Sequence, residues 1–215
     1  MKRLPVIPTI LVGFAVIAMI ALGVWQWRRA AEKEAIITLA VANPAKPPMA
    51  FPVLGPVPSD ILFRRSSVHC LRTVAWRDEA GRAADGSVGF RYIAECTTGA
   101  EGPGVLVNLG VGDRPGLKPT WTGGQVEGWI TQEPDHRALI SRLTQRSLPL
   151  RPMLIARVPQ AGLKAAAPPS VRDIPNNHRA YAVQWFLFAL IALVIYGLAL
   201  RRYGRRQSAD PQPGA

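Results

Sequence analysis

Two long apolar runs lie near opposite ends of the chain, Ile7 to Trp25 and Tyr181 to Leu200, and neither contains a charged side chain. An α-helix rises 1.5 Å per residue, so about 20 residues cross the roughly 30 Å hydrocarbon core of a bilayer. Helices in the core of a soluble protein are usually shorter and amphipathic. The pattern therefore predicts two transmembrane helices, at residues 7–27 and 179–200.

The first run also has features of a secretory signal peptide, because Lys2 and Arg3 form a short charged region before it. Its apolar length exceeds the usual range of about 7–15 residues. It ends in the bulky sequence from Val24 to Arg29, VWQWRR, where a cleavage site would need small residues. A retained membrane anchor is therefore the preferred interpretation.

The segment that follows the first span, residues 28–58, divides into two parts. Arg28 to Val41 contains no helix breaker, which favours a helical extension of the span. Asn43 to Pro58 holds six prolines. Because proline lacks a backbone N–H and fixes φ, this second part is predicted to be an extended linker without regular structure.

Residues 59–160 alternate short β-type runs with turns rich in Gly and Asp, which is typical of a small antiparallel sandwich or barrel. One helix is expected within it, from Asp135 to Gln145, since its apolar residues lie at helical intervals. Residues 161–178 form a Pro- and Ala-rich connector to the second span. The predicted strands are Val68–Trp76, Phe90–Thr97, Val105–Leu109, Gln125–Thr131 and Met153–Val158, with a turn-rich segment at Asp78–Gly89 and with Gly110 and Gly112 closing the third strand.

Positive charge near the ends of the chain sets the expected topology. Of a formal net charge of +12 at pH 7, Lys2 and Arg3 precede the first span, and four arginines follow the second. Cytoplasmic flanks of membrane helices carry an excess of Lys and Arg. Residues 1–6 and 201–215 are therefore predicted to be cytoplasmic, with the middle of the chain in the periplasm of a bacterium. A mitochondrial origin is the alternative, but an Arg- and Ser-rich presequence is missing.

The remaining charge is dilute, with 20 basic and 13 acidic side chains between Arg28 and Arg179. No basic patch interleaved with aromatics and no Gly-rich phosphate loop occurs, so nucleic acid is not an expected partner. The expected fold is a two-helix transmembrane hairpin enclosing a mainly antiparallel β (α+β) periplasmic domain. Its expected location is the bacterial inner (plasma) membrane, in contact with lipid.

Cys70 and Cys96 lie 26 positions apart in the region predicted to be periplasmic. An oxidising compartment allows them to form a disulfide bridge. Two unpaired buried thiols are the alternative on sequence grounds. A redox or metal pair is less favoured than either, because the spacing is not Cys-x-x-Cys.

Catalytic motifs are missing from the sequence between the spans. His69 stands next to Cys70, but neighbours on a strand point to opposite faces, so a Cys–His nucleophile is disfavoured. His136 is most simply an exposed residue at a helix start. No serine-hydrolase, metalloprotease or phosphate-loop motif occurs. The chain is therefore predicted not to be an enzyme, and a membrane-tethered enzyme is the least favoured class.

The second span begins with polar and aromatic residues that share one helix face with a strip of alanines, since each helical residue advances by 100°. A packed hairpin explains the alanines and the interfacial aromatics. The histidine is either an interfacial residue or a ligand of haem iron, with the macrocycle against Trp and Ala. The faces are His178, Tyr181, Ala182, Trp185, Ala189, Ala192 and Tyr196 in the second span, and Ala15, Ala18, Leu22 and Trp25 in the first.

Three motifs in this order resemble the surfeit locus protein 1 family of cytochrome c oxidase assembly factors. Gly23 to Arg29, GVWQWRR, is similar to the family's Gly-x-Trp-Gln-x-x-Arg exit from the first span. Val105 to Gly110, VLVNLG, is similar to its Leu-Val-Asn-Arg-Gly strand, with Leu109 in place of Arg and Val111 in place of the aromatic that follows. His178 to Phe186, HRAYAVQWF, is similar to its His-x-x-Tyr-Ala-x-x-Trp-Phe entry to the second span.

The resemblance implies an assembly factor for haem–copper cytochrome c oxidase, which binds haem a or hands it to the catalytic subunit at the outer side of the membrane. It implies His178 as the axial ligand of the haem iron. Tyr181 and Trp185, on the same helix face, and Trp25, on the matching stripe of the first span, are the further candidate haem-binding residues. The oxidase catalytic subunit is the expected partner, and haem a synthase a second. A cofactor-free membrane scaffold that stabilises an oxidase assembly intermediate is the alternative.

Overall fold

The computed structural model describes residues 5–99, 104–136 and 149–209. The chain divides into two compact units, one made of the residues up to Ala35 with those from Pro175 onward, and the other of Ile36–Ile174. The first unit is called the helix pair below. The second is called the sheet domain, and it extends on both sides of the region predicted at residues 59–160.

Two long helices, α1 (Val6–Ala42) and α2 (His178–Ala209), contain the two apolar runs. Each is long and apolar enough to cross a membrane, judged by length and composition. Pro8 lies in the first turn of α1, where a missing N–H leaves no helical hydrogen bond unmade. The helix then continues beyond the predicted span without a break to Ala42. The Pro-rich segment that follows begins with a short 3-10 turn.

Within the described ranges, seven strands form one mixed sheet in the order β1-β2-β6-β7-β5-β4-β3. Four of the six pairings are antiparallel, whereas β1 with β2 and β5 with β7 are parallel. The mainly antiparallel expectation is thus right, but the two parallel pairs were not predicted. The strands are β1 (Met49–Ala50), β2 (Arg65–Cys70), β3 (Arg72–Arg82), β4 (Val88–Thr97), β5 (Val105–Gly112), β6 (Gly124–Gln132) and β7 (Pro152–Ala156).

The sheet curls back on itself, as a barrel does. In a flat sheet β2 and β4, four strand intervals apart in this order, would be separated by about 19 Å. Instead, Cα atoms of Cys70 and Cys96 are 5.3 Å apart, and the Leu71 N–H donates to the Thr97 carbonyl at 2.9 Å. The sequence predicted either a sandwich or a barrel, and this single curled sheet corresponds to the barrel.

Two hydrophobic clusters cover the two faces of the central strands. Alternate residues of β5 divide between them, with Val107 in one cluster and Leu106 in the other. Every residue of β5 and β7 is buried as a result. This double coverage explains why both strands appear in the sequence as continuous apolar runs, without hydrophobic alternation.

Several predicted strand boundaries were wrong. The Val68–Trp76 run is broken at Leu71, where the chain leaves β2 and enters β3. Most of the Asp78–Gly89 segment is not a turn, since β3 continues to Arg82 and β4 begins at Val88. Gly110 and Gly112 do not close β5 but belong to it. Gly110 adopts φ +146° opposite a register shift in β4, where a Cβ atom would lie 2.5 Å from the Lys164 carbonyl oxygen.

The two connectors are attached to the sheet. The Pro-rich segment contributes β1, and the Ser66 hydroxyl donates to the Met49 carbonyl at 2.8 Å. Asn43 is fully buried, and its amide donates to the Asp60 and Leu62 carbonyls at 2.8 Å each. The prediction of no regular structure in residues 43–58 was therefore wrong. In the second connector, Lys164 exchanges backbone hydrogen bonds with Val111.

The helix predicted from Asp135 to Gln145 lies outside the described residues from 137 onward. Asp135 and His136 themselves are in neither helix nor strand. The His136 side chain is 69% exposed and pairs with Glu79 at 3.2 Å.

Candidate functional site

His178 is the first residue of α2, and its ring faces a side chain of α1. Its Nδ1 lies 2.7 Å from Oε1 of Gln26. A carboxamide oxygen can only accept a hydrogen bond, so Nδ1 carries the proton in this arrangement. The neutral ring then has its lone pair on Nε2, which is the form that ligates metal ions.

The two helices meet along one line of small and apolar residues, called the seam below. At its far end the Thr9 and Tyr196 hydroxyls are hydrogen-bonded. Four buried residues lie between that contact and His178, in pairs seven residues apart on each helix. Such heptad spacing keeps one stripe of each helix against its partner. The four are Val16 and Gly23 on α1, and Ala182 and Ala189 on α2.

The predicted face of α2 is divided by this packing. Ala182 is fully buried, whereas Tyr181 is 51% exposed. Trp185 is half-buried and meets the Phe188 ring edge-on, with centroids 6.1 Å apart. The buried alanines therefore belong to the seam, whereas His178 and the aromatic residues keep surface available for a ligand.

Trp25 does not lie on the seam. It is 56% exposed, and Gln26, the next residue, faces His178 instead. One residue along a helix is a rotation of 100°, which is enough to turn a side chain away from a partner. The face of α1 that was predicted to pack against α2, through Ala15, Ala18, Leu22 and Trp25, is therefore rotated away from the seam observed in the structure.

Arg179 fastens the end of the helix pair at which α2 begins. Its guanidinium donates to Glu34 from Nη2 at 2.7 Å, with a second contact from Nε to the other carboxylate oxygen. The same guanidinium lies 5.9 Å from the centroid of the Trp27 ring, within the range of a cation–π contact. His178 is therefore held beside Gln26 by its neighbour as well as by its own hydrogen bond.

The imidazole of His178 could ligate a metal that already has other ligands. Among the described residues, no group of three or more His, Cys, Asp or Glu side chains is placed to hold a metal. A haem iron receives four nitrogens from the porphyrin, so one protein imidazole is enough. His178, with Tyr181 and Trp185 following it on α2, could supply that ligand and an aromatic contact.

Sequence reasoning missed Gln26 as the partner of His178. The sequence did contain a signal: the neutral amide of Gln26 lies between the first apolar span and two arginines, within the GVWQWRR motif. An amide inside an apolar helix pair is costly unless hydrogen-bonded, so it implies a polar partner on the other helix. The sequence did not reveal which residue of the other helix lies opposite.

His69 and Cys70 point to opposite sides of β2, as predicted. His69 is exposed and Cys70 is buried. The Cys–His nucleophile is therefore rejected, since a base must lie within hydrogen-bond reach of its thiol.

Cys70 and Cys96 are joined in the structure, with both side chains buried in the sheet domain. Their Cα separation of 5.3 Å lies within the range of known disulfides, about 4.4–6.8 Å. The bridge closes the curled sheet by tying β2 to β4. It would therefore stabilise the barrel-like curvature.

We expect the purified chain to contain this disulfide and to lose about 3 kcal/mol of unfolding free energy on reduction, since the bridge closes a loop of about 25 residues. Mass spectrometry of a non-reduced digest should show the two cysteine peptides linked. A reduced digest is the control. Alkylation of both thiols after denaturation without reductant would contradict the bridge.

Glu95, on β4, lies at the centre of an ion-pair network with Arg77 of β3 and with Arg151, which directly precedes β7. The Arg151 guanidinium donates to it at 2.7 Å, and the Arg77 guanidinium approaches it at 3.6 Å. The hydrogen bond from Arg151 lowers the pKa of the Glu95 carboxyl below its ordinary value of 4.5, against a smaller opposing effect of burial. Arg151 in turn donates its backbone N–H to Glu133 at 2.7 Å.

This network predicts loss of stability in acid. Because the Glu95 pKa is lower in the folded state, its stabilisation is complete above the ordinary pKa of 4.5 and disappears as the pH falls through the folded value. Glu95→Gln should flatten the pH dependence of unfolding below about pH 5. Urea unfolding of the full chain in detergent measures it. Glu127→Gln is the control, since that side chain is 70% exposed and 3.8 Å from its partner; equal flattening in both variants would contradict the assignment.

A cavity of about 940 Å³ opens in the sheet domain, and it was not predicted. Its charged lining consists of Arg82, Arg91 and Arg172, with Asn108 and Met153 also at its surface. Asn108 is buried and accepts the Gly110 N–H at 3.2 Å. These residues come from distant parts of the chain, so no local motif could reveal the cavity.

The architecture defines a class of protein in which two long apolar helices precede and follow a curled mixed sheet along the chain, with a histidine–amide contact between the helices. The model of the SURF1 family matches residues 13–190, a range that includes Gln26, the sheet domain and His178. The chain therefore belongs to the SURF1 family, which is a family of cytochrome oxidase assembly factors and is generally not enzymatic. No curated protein matches the chain.

Proposed function

We propose that this chain binds haem a through His178 Nε2 and presents it to the catalytic subunit of a haem–copper cytochrome c oxidase. The observation that carries the proposal is the 2.7 Å contact from His178 Nδ1 to Gln26 Oε1. In a neutral ring this contact places the proton on Nδ1 and leaves the lone pair on Nε2. When bound, haem a would supply the iron centre that the oxidase requires.

Each residue at this end of the helix pair would have a separate task. His178 would ligate the iron, and Trp185 and Tyr181 would offer aromatic surface to the macrocycle. Arg179, Glu34 and Trp27 would keep the start of α2 beside α1. Because a single imidazole and a partly exposed surface hold the haem, the site would suit transfer better than permanent retention. Haem a synthase would be the source of the haem.

The visible spectrum of the purified protein tests this function. Full-length chain purified in detergent from cells that make haem a should show a Soret band with about one haem per chain. The same chain from cells without haem a is the control. A colourless protein from haem-a-producing cells would overturn the proposal.

A cofactor-free scaffold is the second candidate function, and the seam favours it. Ala182 and Ala189 are buried against α1, so the alanine strip is explained by helix packing alone. The hydrogen bond to Gln26 also gives His178 a structural role. In this alternative, the helix pair and the sheet domain would stabilise an oxidase assembly intermediate without carrying haem.

The proposed location is the bacterial inner membrane, with both termini in the cytoplasm and the sheet domain in the periplasm. The length and composition of both helices support spanning, and the arginines after Leu200 support the orientation. In that orientation His178 and Gln26 would lie at the outer face of the membrane, and the cysteines would lie in an oxidising compartment.

Reporter fusions test this topology. Alkaline phosphatase fused after Ala100 should be active, because it folds only in the periplasm, and the fusion after Gly204 should be inactive. A green fluorescent protein fused at the same two sites is the reciprocal control. The reverse pattern would overturn the orientation and move His178 to the cytoplasmic side.

A further inference from the structure

We infer that Gln26 is a positioning residue for His178: its carboxamide oxygen holds the ring in the Nδ1–H tautomer and so exposes the Nε2 lone pair. The role in metal binding rests on the proposed function. The role in setting the tautomer does not, and it can be measured without haem.

The tautomer follows from the contact. Gln26 Oε1 lies 2.7 Å from His178 Nδ1, which is a full-strength hydrogen bond. A solvated neutral imidazole prefers its proton on Nε2, and that nitrogen then has no lone pair to offer to a metal. An acceptor fixed at Nδ1 reverses that preference. Histidines that ligate metals usually donate their other ring N–H in this way, which orients the ring and raises its basicity.

The surroundings hold the acceptor in position. Gln26 is half-buried on α1, three residues beyond buried Gly23 and four before buried Ala30, and so faces the seam. At Gly23 an added Cβ would lie 2.6 Å from the Phe186 ring, so the two helices approach closely here. Further along α1, the ion pair between Arg179 and Glu34 keeps the two helices from separating. The amide therefore has a defined place beside the ring.

Three variants separate tautomer control from simple packing. Gln26→Leu keeps a side chain of similar size but removes the acceptor. Gln26→Glu keeps an acceptor at the same reach, and its charge should strengthen the bond to Nδ1–H. Gln184→Leu is the matched control, because Gln184 is an exposed glutamine of α2 within two turns of His178. Circular dichroism establishes that the helices are retained in each variant.

Nitrogen NMR of the haem-free chain gives the direct readout. The protein contains three histidines, so the full-length chain labelled with ¹⁵N-histidine in detergent gives few signals. The two ring-nitrogen signals that disappear in His178→Ala are those of His178. Protonated and unprotonated ring nitrogens have well-separated shifts. We expect Nδ1–H in the wild type, in Gln26→Glu and in Gln184→Leu, and a change to Nε2–H in Gln26→Leu. Nε2–H in the wild type, or unchanged Nδ1–H in Gln26→Leu, would overturn the inference.

Haem binding and redox potential provide the second readout. Gln26→Leu should weaken haem binding by about 10–100-fold, the usual effect of losing a partner behind a metal ligand. Gln26→Glu should retain haem and lower its midpoint potential, because a more basic imidazole favours ferric iron. Unchanged affinity and potential in both variants, with haem bound in the wild type, would reject the positioning role and leave the proposed function standing. A haem-free wild type with the expected tautomers would reject the proposed function and leave the tautomer control standing.

Discussion

His178→Ala should lose more than about nine tenths of its bound haem, since removing even a partner behind a metal ligand costs 10–100-fold in affinity. Removal of the imidazole deletes the only bond that we assign between protein and iron. The variant should still accumulate in the membrane, because leaving the half-buried Gln26 amide without this partner costs about 1–3 kcal/mol, which the rest of the helix pair can tolerate. Haem content per chain and the Soret band measure the effect, and the host oxidase should contain less haem a.

Two controls make this result specific. Trp185→Ala should reduce haem content less, because it removes aromatic surface and leaves the iron ligand in place. His69→Ala should have no effect, since that exposed histidine lies on β2 of the sheet domain. If His178→Ala keeps full haem and an unchanged spectrum, the ligand assignment is wrong and the scaffold function takes its place.

Gly128→Ala should prevent the sheet domain from folding, or destabilise it by about 3 kcal/mol or more. An added Cβ would lie 1.9 Å from the Ile155 carbonyl oxygen and 2.7 Å from its carbon. These are backbone atoms of β7, and β6 is hydrogen-bonded to β7 on one side and to β2 on the other. The clash therefore cannot be relieved by a rotamer change.

Urea unfolding and limited proteolysis of the full chain measure this loss. Gly99→Ala is the matched control in the same domain, because nothing lies within 4 Å of the position its Cβ would take. Gly128→Ala with wild-type unfolding free energy would show that β6 and β7 do not approach as closely as described here.

Local sequence patterns were sufficient for the long helices and for most strands. An apolar run of about 20 residues has few alternatives to a helix of membrane length. The apolar runs around Val107 and Leu154 became β5 and β7 because residues buried on both faces must be apolar. The predicted strand boundaries were wrong where a single residue changes the direction of the chain. Leu71 is an example, since no local signal separates a bend from a continuous strand.

The candidate site was predicted in part. His178 was identified because a histidine at the start of an apolar helix is unusual, and because the three motifs resembled those of one family. Tyr181 and Trp185 followed from helical periodicity. Trp25 was predicted to belong to the same site; it is exposed and lies off the seam, and its role in haem binding stays a prediction. Gln26 was overlooked, although it contacts the histidine directly.

By itself, the sequence determined the two apolar helices and the β character of the region between them, and it singled out His178 as the candidate ligand. These properties depend on residue type and on spacing over one or two helical turns. Only the tertiary structure decided that Gln26, and not Trp25, faces His178, that the alanine strip is buried in the seam, and that Cys70 meets Cys96. Each of these depends on the rotation of one element against another distant in sequence. Helix rotation and strand register are set by packing across the whole unit, which no short stretch of sequence contains.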